Sequence, residues 1–143
     1  MGQSVRFRAP AEQVVRAVAA ALARRGVRLV QSFDLQAARA RHPDPKDCTC
    51  PQHGTAECTC QYVVALAYPP LRAGLAAAPQ VLTAHAHEQV TLVTVHSDQW
   101  AGSEDRLAVM AAVMEAAAAQ AADVCADEPE RCPPGLAEVS PDT

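Results

Sequence analysis

Lysine and aromatic side chains are scarce in this chain. Lys46 is the sole lysine among 143 residues, and Phe, Tyr and Trp together make up 3%. Arginine in place of lysine reads as coding bias rather than nucleic-acid chemistry. With so few rings, a core must rest on Val and Leu, because the abundant alanines bury little apolar area each. Long apolar runs are missing as well. The best stretch, Val14–Leu22, is interrupted by Arg16 and is far too short to span a bilayer, which argues against a membrane helix or an export signal. Met1-Gly2 resembles an acylation start, but Arg6 stands where that motif needs Ser or Thr. The chain has no nucleophile elbow, phosphate loop, dinucleotide fingerprint or HExxH, and no pair of carboxylates suggests acid/base work. The balance leans away from an enzyme. The expected location is the cytoplasm, where thiols stay reduced.

The length suits one domain, expected over residues 1–124, with 125–143 as an acidic, proline-rich and disordered tail. The net charge of −4 is unevenly spread. From Asp123 onward, six acids face Arg131 alone, whereas residues 1–41 hold eight arginines against Glu12 and Asp34. No aromatics interleave those arginines along the sequence, so they read as a solvated helix surface, and nucleic acid is not expected as a partner. A membrane surface is not expected either. The expected partner is a protein or a small molecule.

Residues 4–8 alternate as a half-exposed strand does. Pro10 then suits the first helical position, Val14, Val15, Val18 and Leu22 recur at helical spacing, and Gly26 suits the helix end. A strand over 27–33 and a short helix over 34–41 follow. Residues 61–68 read as a central strand apolar on both faces, stopped by Pro69-Pro70. Residues 81–87 and 90–96 form a hairpin about Glu88-Gln89, although that turn lacks the usual glycine or asparagine. Ser103 suits an N-cap, and Leu107, Met110, Ala111, Met114, Ala118 and Ala121 mark the inward stripe of a last helix reaching about Asp123. The order is β-α-β-β-β-β in type, with about five strands and a final helix. It implies an α+β two-layer sandwich: one mostly antiparallel sheet with helices packed on it and a metal-binding loop.

That loop carries the chemistry. Residues 42–59 hold three prolines and a glycine, and so long a connection in a compact domain needs a reason. Cys48, Cys50, His53, Cys58 and Cys60 give the pattern C-x-C-x2-H-x4-C-x-C, five ligand-type residues within 13 positions. In an extended backbone, side chains i and i+2 share a face, so each C-x-C pair turns both sulfurs one way. Pro51 and Gly54 help the chain reverse. Thiolates select soft ions, and His53 favours one zinc, tetrahedral, over an iron–sulfur cluster. Cys48, Cys50, Cys58 and Cys60 are the expected set, with His53 the substitute for one of them. The spacing matches neither the C-x2-C pairs of zinc ribbons nor retroviral-type knuckles, so it points to a metal and not to a family. Disulfides, in an exported chain, and unliganded thiols are the competing readings.

Weaker candidates remain. His85 and His87 share a strand face but lack a third ligand, and the hairpin register sets His85 opposite Leu92 and His96 opposite Val81. Cys125 and Cys132 are candidates for oxidation, and Asp98 and Trp100 for a pocket wall. The function expected is a non-enzymatic binding module with a structural zinc. A sensor, buffer or carrier of zinc, copper or mercury is the alternative, and a thiol redox switch a second.

Overall fold

The computed structural model describes residues 2–35, 37, 60–71, 74, 78–96, 102–127 and 130. They form β1 (Gly2–Phe7), α1 (Ala11–Ala23), β2 (Arg28–Asp34), β3 (Gln61–Tyr68), β4 (Gln80–His87), β5 (Val90–His96) and α2 (Ser103–Asp127). The strands make one sheet in the order β1-β5-β4-β3-β2, with every neighbouring pair antiparallel. Both helices pack on one face of it, giving the α+β architecture expected. The metal-binding loop expected within it lies outside the described residues, apart from Cys60.

The connectivity follows from where the first two strands end up. β1 and β2 are the opposite edges, so α1 must cross the sheet between them, and it touches β2, β3, β4 and β5 on the way. β2 to β5 then return as a meander until β5 pairs with β1. α2 lies alongside α1 and over β1 and β5.

α1 begins on the carbonyl of Pro10, which accepts the Val14 N–H at 3.1 Å. Pro10 is therefore the N-cap, one position earlier than the sequence suggested. Its extended backbone and fixed φ suit that place as well as the first helical one. The helix ends in a Schellman motif: the Val27 N–H reaches the Leu22 carbonyl and the Gly26 N–H that of Ala23, with Gly26 at φ +74°. Leu22 and Val27 are both buried, the apolar contact that accompanies this cap.

α2 departs more from expectation. The Gly102 carbonyl accepts the Arg106 N–H at 3.0 Å, so Gly102 caps the helix and Ser103 belongs to its first turn. The buried face carries Val109, Ala112, Val113 and Ala116, while Leu107 and Met114 are 70% and 55% exposed. The stripe read from the sequence is thus rotated away from the core. In an alanine-rich helix apolar groups surround the axis, so periodicity selects no face. Close approach to α1 selects it, by favouring Val and Ala over longer side chains. α2 also continues past Asp123 to Asp127.

Between the layers, Phe7, Val14, Val18, Leu22, Val63, Leu82, Val93, Val95, Val109 and Val113 form the core with alanines between them. Valine dominates the large side chains, as the shortage of rings requires. The other face of the sheet has no helix among the described residues.

Candidate functional site

Strand β2 contains a bulge that decides what stands at its end. The register with β3 shifts between Gln31 and Phe33, and the Ser32 hydroxyl donates to the Val64 carbonyl at 3.2 Å. A regular strand would put Phe33 on the same side as Gln31. The extra residue instead pairs Phe33 with Val64, on the face away from the helices, and returns Asp34 to the helix side opposite Val63.

Asp34 then gathers the surrounding donors. Its Oδ1 accepts the Gln61 Nε2 at 2.8 Å and the Ala37 N–H at 3.0 Å, and its Oδ2 accepts the Gln31 Nε2 at 3.1 Å. Leu35 and Ala37 are helical, so Asp34 caps a turn as it ties the end of β2 to the start of β3. The expected helix over 34–41 otherwise falls outside the described residues.

Beside Asp34 lies a cavity of about 720 Å³ between the N-terminal turn of α1 and the ends of β2, β3 and β4. Ala11, Val15, Val63 and Ala86 line it with apolar surface, and Glu12, Arg16, Asp34, His87 and Glu88 with polar groups. Glu12 and Arg16 pair across one helical turn at 3.6 Å, well exposed to solvent. The His87 Nε2 is buried and has no hydrogen-bond partner among the described residues.

Of the expected ligands, Cys48, Cys50, His53 and Cys58 lie outside the described residues. Cys60 is buried, immediately before β3 and next to the Asp34–Gln61 tie. Among the described residues no group of three His, Cys, Asp or Glu side chains is placed to hold a metal. His85 and His87 do share β4, with His85 opposite Leu92 and His87 opposite Val90. His85 meets the Tyr62 ring edge to face, with centroids 6.0 Å apart. His96 pairs with Val81, and its Nε2 stands 3.0 Å from the Thr83 hydroxyl. Cys132, Asp98 and Trp100 lie outside the described residues, and Cys125 falls within α2 with its side chain outside them.

Two groupings escaped sequence reasoning. Asp34 was legible only as a helix-start residue; its partners Gln31 and Gln61 come from separate strands. Glu115 of α2 receives Arg24 at 2.8 Å and also Arg25, both from the end of α1. Hydrogen bonds from Arg25 first, then Arg24, hold the Glu115 carboxyl below its ordinary pKa. The only signal in the sequence was a paired arginine and an acid in the middle of an alanine-rich helix.

Among the described residues no helix is long and apolar enough to cross a membrane. Comparison of the chain with family models, with curated proteins and with solved structures finds no match in any of the three.

Proposed function

We propose that this chain is a small zinc-binding domain acting as a non-enzymatic binding module. One structural ion is held by four of Cys48, Cys50, His53, Cys58 and Cys60, and it closes the connection between β2 and β3. The observation that carries this reading is the position of the five donors. All fall in the 26 residues (35–60) that join two neighbouring antiparallel strands. Such strands need only about 2–5 residues between them, and closure entropy rises with loop length. Its two ends are tied at Asp34 and Gln61, 2.8 Å apart, which favours the meeting of one C-x-C pair with the other. The cavity beside that tie offers a place for a small molecule.

Because the site is absent from the unfolded chain, zinc affinity adds directly to folding stability. Elemental analysis of the purified chain should give one zinc per chain, and the metal-free protein should melt at a distinctly lower temperature. Equal melting of the two forms would overturn the reading. A second reading rests on the donor surplus, since five candidates exceed the four that zinc needs. In that reading the chain carries or senses a soft ion. It predicts transfer of the ion to a competing chelator with the fold intact.

A further inference from the structure

The face of the sheet away from the helices has a composition unlike the rest of the molecule. The chain carries −4 overall, yet no Asp or Glu stands on this face among the described strand residues. Arg6 and Arg28 do, with His85 and His96 between them. Three of the five aromatic residues are here too: Phe33, Tyr62 and Tyr68. Among the described residues the core takes only Phe7 of the aromatics.

The register lays these groups out along β2 and β3 and then straight across the sheet in the row of Tyr62. At one corner Arg28 pairs with Tyr68, its guanidinium 5.3 Å from the ring centre. Phe33 stands farther along β2, brought to this face by the bulge and 40% exposed. Tyr62 and His85 come next as a cross-strand pair, then Leu92 and, at the opposite edge, Arg6. Six residues of strand separate Tyr68 from Tyr62, about 20 Å at strand rise, and the four strand spacings from β2 to β1 add about 19 Å crosswise.

We propose that this face is a platform for single-stranded nucleic acid, with bases stacked on Phe33, Tyr62 and Tyr68 and phosphates drawn to Arg6 and Arg28. Rings flanked by cations, on a sheet face that no helix covers among the described residues, suit an unpaired strand, because every base has a face to stack and every linkage a charge to neutralise. A second copy of this chain fits poorly, since cationic corners would meet without any acid opposite them. An acidic protein segment would satisfy the arginines and leave the rings without planar partners. The proposal goes beyond the zinc reading and uses no residue of the cysteine segment, so each fails by its own measurement.

The test is fluorescence anisotropy of the full chain with a labelled mixed-sequence decamer, as single-stranded RNA and as single-stranded DNA. Binding should weaken roughly sevenfold between about 50 and 200 mM salt if two phosphates are neutralised. Phe33→Ser and Tyr62→Ser should each weaken it about tenfold. Arg28→Glu, which leaves the rings in place, should weaken it at least as much, and Leu107→Ser on the helical side should change nothing. Thermal melts of each variant separate lost binding from lost folding. The proposal is overturned by any of three results: no binding at low salt, binding indifferent to Phe33→Ser and Arg28→Glu, or equal affinity for poly-glutamate of the same charge. A dimer in sedimentation that Arg28→Glu alters would overturn it as well, by making the face an interface between copies.

Discussion

Gln80 is the residue least at ease in its surroundings. It is 1% exposed, at the start of β4 opposite Ala67, and neither atom of its amide has a hydrogen-bond partner among the described residues. A buried amide without partners costs about 1–3 kcal/mol. Methionine has nearly the same shape and no such requirement, so Gln80→Met should raise the unfolding free energy by about 1 kcal/mol, read from the urea midpoint. The Glu88-Gln89 turn holds a second local cost. Both residues have positive φ, 50° and 67°, as a two-residue hairpin of this hand demands. L-residues pay about 1–2 kcal/mol there. Gln89→Gly should therefore stabilise the hairpin by up to about 1 kcal/mol, an increase in thermal midpoint without loss of structure by circular dichroism.

At the scale of elements, the two helices are held to each other by close packing of Ala and Val and by one charged contact. Glu115 bridges from α2 to Arg24 and Arg25 at the end of α1. Its native pKa is lowered, so the bridge contributes stability that is complete above the ordinary glutamate range. That contribution shrinks as pH falls through this range and is gone below the native value. Denaturation midpoints should show the wild type losing its advantage over Glu115→Gln on acidification in that window. A difference that stayed constant with pH would remove the charge from the explanation. The bulge in β2 acts at this scale too. One extra residue sends Phe33 outward and Asp34 inward, so the cationic–aromatic face and the polar hub at the cavity both depend on it.

For the whole molecule, the sheet's two edges differ in what supports them. β1 is covered by α2 and paired with β5. β2 is tied to β3 at its far end through Asp34 and Gln61, where the long connection starts and finishes. With the proposed zinc removed, amide exchange should accelerate first in β2 and the start of β3, while β4 and β5 keep their protection. Uniform loss of protection across all five strands would instead make the ion a requirement for the whole fold. Even protection in both states would leave it no structural part.

The sequence by itself determined the elements and their order. The apolar run over 61–68, the paired segments 81–87 and 90–96, the proline before α1 and the glycine after it are local signals, and the structure follows them to within a residue or two. The antiparallel pairing of β4 with β5 was legible for the same reason, since a two-residue connection leaves little choice. The choice of faces was a tertiary outcome. Apolar residues occur around the whole axis of α2, so only packing against α1 decided that Val109 and Val113 point inward and Leu107 outward. Phe33 is in phase with Leu29 and Gln31 on the helix side in the sequence and joins the face away from the helices only through the bulge. Arg6, Arg28 and the two tyrosines of β3 are far apart along the chain, and pairing across five strands brings them to one surface. Spacing along a chain records which way a side chain points relative to its near neighbours. Which distant side chains it will meet is settled by the register, and the register follows from burial of the opposite face.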